Sequence, residues 1–562
     1  MVRNLRWSLA TESSPSLLSP PIPSRPPAAG SYNDRHVRRV FEVNGEAFDV
    51  IVVGGGIIGC GVARDAALRG FKVALVEKGD FGSGTTAGST RIVHGGLRYL
   101  ERLDIRLVRL DLRERETLLR IAPHLVKPLE FLIPFFGPQR AAALKLRAGL
   151  ALYDVLSFDK SLPSRRWLTP AEARAADPSL DRPDVTGAAA YHDARVDCAE
   201  RLALENVLDA EQHGARAFSY CEALSVTPDA GGSGMMAVCV RDVLGGQDAT
   251  LRAEAIVNAT GAWADPVATR LTGRRAGAIR TTKGIHLVCR PMTGRALVLF
   301  SEVDRRLMFA IPRAGLTWIG TTDTDYAGDP SDARASRPDV EYLLRSVRHA
   351  FPSIRREDVL FTTAGVRALV RSGGSESAVS RMHRIIDGEP LGPPGFVTIL
   401  GGKITGYRAI AEEVMDVVCR RFRSPRRSVT AERALPGAVP VRDRPSSADT
   451  RLWSHLAGLY GTRAAEVIAL AESTPAWGAP LSPAYPDIGA QVVYGVRREH
   501  CQRLDDFIRR RTLLGVSTDQ GAQAVPAAAA LMAEELAWSP AYQAAEVAAA
   551  LHPPGSDLDS LD

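Results

Sequence analysis

The sequence predicts an α/β protein with a parallel sheet at its start, an antiparallel sheet in its middle and helices at its end. Three observations carry that expectation. Residues 48–53 are a β-branched run that stops in three glycines, 57–69 follow with helical spacing, and 72–77 form a second buried run, together a βαβ unit. Short apolar runs at 285–289, 297–300, 307–311 and 317–320 succeed one another with turns and no room for crossover helices, as antiparallel strands do. Beyond about residue 430 the chain is rich in Ala and Leu with helical periodicity.

A chain of 562 residues, 45% hydrophobic and 24% charged, is long enough for two or three domains. Residues 1–45 are rich in Ser, Pro and Arg and read as a disordered extension; Glu12 and Asp34 weaken a transit-peptide reading. A net charge of +6 is too small a surplus to mark a nucleic-acid binder, and the basic stretch 420–427 reads as a solvated face. The seven cysteines are scattered with no C-x-x-C pair, which argues against structural zinc and disulfides and makes a reducing cytosol the simplest setting. No apolar run is long enough to span a bilayer, so membrane contact is expected to be peripheral.

The glycines at the first strand end carry chemistry. Gly54 permits a tight turn, Gly56 lets backbone approach a pyrophosphate, and Gly59 allows close helix-to-strand packing. The helix that follows offers unpaired N–H groups to a diphosphate, and Glu77 can accept the ribose hydroxyls of an adenosine. NAD and FAD share that half, but two further strand ends favour FAD. Residues 255–258 run into Thr260 and Gly261, and 396–400 run into Gly401, Gly402, Lys403 and Thr405 at the mouth of another helix, whose N-terminus could face a flavin ring.

With the stretches between them, these pieces resemble the FAD-dependent glycerol-3-phosphate dehydrogenase family, a member of the D-amino-acid-oxidase-like flavoproteins with two dinucleotide-binding folds. The matching residues are 48–77, 89–100 (STRIVHGGLRYL), 281–287 (TTKGIHL), 319–326 (IGTTDTDY), 364–369 (AGVRAL) and 401–408 (GGKITGYR), of which HGGLRYL is specific to the family. The likeness runs from about residue 46 into the C-terminal helices, where 493–513 look like the family's last domain. It implies a domain of residues 46–430 that binds FAD, with a substrate-binding part at roughly 126–184 and 284–354, and a helical domain at 431–562. It further implies that Arg98, Tyr99, His286, Arg367, Arg381 and Lys403 line the substrate site, with His286, Arg367 and Lys403 closest to the chemistry, and that Ser89, Thr90, His94 and Gly95 sit by the flavin.

The chemistry of these residue types agrees. A phosphorylated triol needs permanently charged donors for its dianion, which Arg98, Arg367 and Arg381 can supply. Removing the C2 hydroxyl proton as a hydride leaves for flavin N5 needs a base, for which His286 and Lys403 are both candidates. Asp323 and Asp325 read as turn caps rather than metal ligands, since the chemistry needs no metal. Arg140, Lys145 and Arg147 interleave with Leu144, Leu146, Leu150, Leu152 and Val155, a basic amphipathic stretch that could rest on an anionic bilayer and let quinone reach the flavin. The expectation is therefore an enzyme oxidising sn-glycerol 3-phosphate to dihydroxyacetone phosphate, attached to the inner face of the cytoplasmic membrane and passing electrons to quinone. A soluble, oxygen-using oxidase is the alternative, and the sequence does not choose between monomer and homodimer. Departures from the family pattern are Arg91 for a common Lys, Ala368 for Pro, Gly406 for Thr, and fewer serines in 82–90.

Overall fold

Ala47–Val53 has no polar side once it leaves Asp49, and Val50, Ile51 and Val52 are fully buried, so the strand takes the middle of a sheet covered on both faces. In this computed structural model, residues 40–137, 140–229, 234–275, 277–371, 382–438, 448–553 and 555 are described. Ala47–Val53 pairs in parallel with Val73–Val76 on one side and Asp248–Asn258 on the other, and Asp248–Asn258 pairs in parallel with Phe396–Leu400. The C-terminal ends of four parallel strands thus stand in a row spanning roughly 14 Å at about 4.8 Å per step. Arg384–Asp387, Arg216–Phe218 and the hairpin Cys221–Pro228/Met236–Asp242 complete eight strands among the described residues.

Helices Ile57–Leu68, Ala199–Gln212 and Tyr407–Arg421 share a core with this sheet through Val62, Ala66, Leu204, Val207 and Val414. Small residues permit the close packing: a Cβ on Gly61 would lie 2.9 Å from the Tyr407 ring.

The second sheet has ten strands among the described residues and is antiparallel except where Val126–Phe136 meets Ala296–Phe300. Its frame is two long pairs, Val126–Phe136 with Val185–Val196 and Ile279–Cys289 with Val359–Val370. The sheet is therefore wider than the stretches 126–184 and 284–354 expected from sequence, because Val185–Val196 and Val359–Val370 lie beyond those limits, Ile279–Cys289 begins before them and Ile92–Val93 joins the edge. The Arg337–Val347 helix covers one face through Val340, Leu343 and Val347.

Order also begins earlier than Phe48. Val40–Val43 is a 3-10 turn whose Val43 packs with Phe48 in the core, so the expected extension of 1–45 is too long at its end. Residues 1–39, the 439–447 part of the expected linker and Arg381 lie outside the described residues.

Helices Thr450–Tyr460, Ala464–Ser473, Gly489–Arg498, Val525–Leu536 and Pro540–Leu551 enclose two cores of their own. They dock through buried ion pairs: Arg510 and Arg511 reach Asp80, and Arg201 reaches Glu499. Asp80 follows Glu77 by three residues, so this docking braces the loop at the second strand end.

Candidate active site

A cleft of about 1070 Å³ runs along the row of parallel strand ends and is closed by the antiparallel sheet. Its first end is built from backbone. Gly54 adopts φ +105°, and a Cβ there would lie 2.9 Å from the Ala259 carbonyl oxygen; a Cβ on Gly59 would lie 1.9 Å from the Gly54 carbonyl oxygen. Only glycine fits either position. Gly56 has open approach, with Thr86 Oγ1 3.7 Å from where its Cβ would be. The Glu77 carboxylate accepts the N–H groups of Gly55 at 2.6 Å and Gly79 at 2.8 Å. Burial raises its pKa while those two bonds pull the other way.

Thr86, which the sequence reading did not single out, accepts the Ile57 N–H at 3.1 Å and lines the same wall. Ser89, Thr90, Thr260 and Gly261 line the cleft as well; Ser89 Oγ donates to the Thr86 carbonyl at 2.9 Å and Thr260 Oγ1 to Asn258 at 2.6 Å.

The other end is built from charge. Gly401 and Gly402, at φ +73° and +107°, turn the chain after Phe396–Leu400 so that Lys403 lines the cleft. Its ammonium lies 4.3 Å from the centre of the Tyr99 ring and pairs with Asp111, a residue of the Ile105–Ile121 helix. Arg98, from the turn Leu97–Arg102, also lines the cleft, with its guanidinium 5.9 Å from the Tyr99 ring. Arg367 projects from Val359–Val370 and donates to Thr321 Oγ1 at 2.6 Å and the Thr322 carbonyl at 3.1 Å. Asp323 lies 3.3 Å from Arg367 and 3.2 Å from Arg306, a second cleft-lining cation that no motif marked. Asp323 and Asp325 thus both pair with arginines, Asp325 with Arg280 at 2.7 Å. Thr405 Oγ1 accepts the His94 N–H at 3.1 Å, joining the two glycine-rich turns, and both residues line the cleft.

Two expected residues are placed differently. His286 does not line the large cleft: its Nε2 bonds Thr90 Oγ1 at 3.0 Å and its Nδ1 faces Thr363 Oγ1 at 3.3 Å, one layer behind the wall. Burial, with Arg367, Arg313 and Arg91 nearby, pushes its pKa down to about 3, so the ring is neutral. His286 thus stands one layer behind the cleft wall rather than on it, on the same sheet face as the cleft-lining Arg367 and with the Thr90 side chain between its ring and the cleft. Gly95 is also set behind the cleft wall, its N–H donating to Tyr153 OH at 2.8 Å and its missing side chain leaving room for Leu112.

The arrangement fits FAD: a glycine cradle and buried carboxylate for the adenosine diphosphate, some 14 Å of strand ends, and cations where an isoalloxazine and an anionic substrate would meet. Residues 49–411 match the FAD dependent oxidoreductase family, and 428–543 match the C-terminal domain of alpha-glycerophosphate oxidase. A glycerol-3-phosphate dehydrogenase of Synechocystis sp. is 38% identical over 534 residues, covering 90% of this chain and 95% of that one. An aerobic glycerol-3-phosphate dehydrogenase of Staphylococcus saprophyticus is 32% identical, covering 84% and 87%. The crystal structure of the Bacillus halodurans glycerol-3-phosphate dehydrogenase complexed with FAD superposes with a TM-score of 0.71 at 29% identity, covering 90% of this chain and 93% of that one. The glycine cradle, the two sheets and the helical domain that braces them are thus those of a known lineage, and the chain belongs to the FAD-dependent glycerol-3-phosphate dehydrogenase family.

Proposed function

We propose that the chain oxidises sn-glycerol 3-phosphate at C2 to dihydroxyacetone phosphate and delivers the electrons to membrane quinone. The observation that carries the reading is that Arg98, Arg367 and Lys403 line the same cleft as the Gly54–Glu77 cradle. A phosphate dianion offers several acceptor oxygens, and planar guanidinium forks bind it bidentately, so Arg98 and Arg367 hold the phosphate and orient C2. FAD, when bound, supplies the hydride acceptor. Two groups are candidates for handling the C2 hydroxyl: Lys403, which lines the cleft and as an ammonium can stabilise negative charge developing on that oxygen, and His286, whose neutral ring reaches the cleft through the Thr90 hydroxyl. Tyr99 and Phe309 give this end of the cleft an apolar wall beside the cations.

The acceptor reading rests on a surface. Leu103, just after the Leu97–Arg102 turn, and Leu144, Val155 and Phe158, on the Arg140–Leu156 helix and just beyond it, are 77%, 68%, 66% and 78% exposed, and the exposed Lys145 of that helix pairs with Glu101. No helix among the described residues is long and apolar enough to cross a membrane. An apolar face with a basic rim suits a peripheral seat on an anionic bilayer at the inner face of the cytoplasmic membrane, close to the cleft. The test is anaerobic addition of glycerol 3-phosphate to the purified holoenzyme. Bleaching of the flavin band followed by fast reoxidation with a quinone analogue is expected; fast reoxidation by oxygen with peroxide release overturns the acceptor, and no bleaching overturns the substrate.

A further inference from the structure

Lys403 is held by a residue that no motif marks. Asp111 lies midway along Ile105–Ile121 with its side chain 1% exposed, and it pairs with the Lys403 ammonium where the latter stands over Tyr99. The acids around it already have cations of their own. Glu114, one turn on in the same helix, is held by Arg408 of Tyr407–Arg421 at 2.7 Å. Asp193, from Val185–Val196, is held by Arg115 at 2.6 Å and by Tyr153 OH at 2.9 Å. Asp111 is left to Lys403, and a buried carboxylate without a cation is costly enough to fix a lysine stem that would otherwise sample many rotamers.

We propose that Asp111 is the positioning residue of the substrate end: it holds the Lys403 ammonium against Tyr99 at the cleft wall and sets the pH range over which that cation is presented to substrate. The proposal rests on the reading of Lys403 as a substrate-site cation. It differs from that reading in placing the control outside the cleft, in a side chain that touches neither substrate nor flavin. Burial pushes the Asp111 pKa up to about 6, Lys403 pulls it down, and Glu114 and Asp193 add to the rise. Protonation of Asp111 below that range releases Lys403, so flavin reduction acquires an acid limb.

Gly406 offers an independent handle. A Cβ there would lie 3.6 Å from Asp111 Oδ1, and its φ of −91° is ordinary for any residue. A serine hydroxyl at 406 can donate to the carboxylate, which favours its charged form.

The experiment uses purified holoenzyme of Asp111→Asn, Asp111→Glu, Lys403→Met, the Asp111→Asn/Lys403→Met double variant and Gly406→Ser. The rate of anaerobic flavin reduction by glycerol 3-phosphate is followed from pH 5 to 9, with the FAD content of each. D111N is expected to reduce its flavin on the order of 10²-fold more slowly at neutral pH. It should retain FAD and lose the acid limb. D111E should recover part of the rate, the double variant should be no slower than K403M alone, and G406S should move the acid limb to lower pH. A normal rate in D111N beside an impaired K403M overturns the role of Asp111 alone, and so do losses that multiply in the double variant. A normal rate in K403M overturns the reading of Lys403, and the proposal with it. Should D111N fail to hold FAD, D111E and G406S decide: an acid limb unmoved in both overturns the proposal.

Discussion

The two ends of the cleft are held together by different physics. At the Gly54 end the wall is backbone, close enough that the carbonyls of Gly54 and Ala259 stand where side chains would need to be. Glu77 at that end accepts hydrogen bonds from two backbone N–H groups. At the Lys403 end the wall is side-chain charge: Lys403 on Asp111, Arg367 and Arg306 on Asp323. Steric fit fails abruptly, whereas an ion pair can be weakened, neutralised or retuned by pH. The cofactor end should therefore respond to mutation by losing FAD, and the substrate end by keeping FAD and losing rate.

The largest expected effect breaks the steric end. Gly59→Ala places a methyl 1.9 Å from the Gly54 carbonyl oxygen and 3.2 Å from the Ala259 side chain, which the chain can relieve only by moving the turn. Overpacking of this kind costs about 3 kcal/mol or more. A colourless protein with a melting temperature lowered by many degrees is expected, read by the flavin-to-protein absorbance ratio and a thermal scan. A yellow G59A with normal melting would mean that the turn is not rigid. At the charged end, Arg367→Ala removes at least two charge-assisted hydrogen bonds to a phosphate, worth about 2 kcal/mol each, and so on the order of 10³-fold in kcat/KM. Its FAD content and melting temperature should stay near those of the parent, since Arg367 is a quarter exposed and Asp323 keeps Arg306. Loss of FAD in R367A would erase the distinction between the ends.

The same contrast explains what the sequence disclosed. The steric end was legible because its constraints are local: glycine spacing after a β-branched run, a helix, and an acid at the next strand end. The antiparallel sheet was legible from its runs, but not its width, because Val359–Val370 owes its length to register with Ile279–Cys289 far away in sequence. Much of the charged end was invisible for a physical reason. Asp111, Glu114 and Arg115 sit in IRLVRLDLRERETLLRI, which reads as a solvated helix face, yet Glu114 and Arg115 find partners 294 and 78 residues away. A faint signal existed. Leu107, Asp111, Glu114 and Leu118 recur at helical spacing, so two acids interrupt an apolar stripe whose leucines are buried. His286 was found by motif but misplaced in depth, since nothing local to its strand shows that Thr90, from a turn 196 residues earlier, stands between its ring and the cleft.

The smallest expected effect sharpens the comparison within the charged end, where two buried groups oppose each other as acid is added. His286 drops from an ordinary 6.5 to about 3, so below pH 6.5 the unfolded chain binds a proton that the folded one refuses, and stability is lost as pH falls. Asp111 rises from 3.8 to about 6, so between those values the folded chain binds a proton that the unfolded one lacks, and stability is gained as pH falls. Each contributes at most about 1.4 kcal/mol per pH unit, with opposite sign. From pH 6 to 4 the two nearly cancel in the parent. Removing His286 as His286→Gln leaves the Asp111 gain uncovered, so the melting temperature of H286Q relative to the parent should climb as pH is lowered from 6 to 4. D111N leaves the His286 loss uncovered and should slide the other way over the same window. Every other titrating group is common to the three proteins and drops out of the differences. Curves that stay parallel would mean that neither group changes its proton binding on folding, and the charged end would then owe its pH response to residues at the cleft surface.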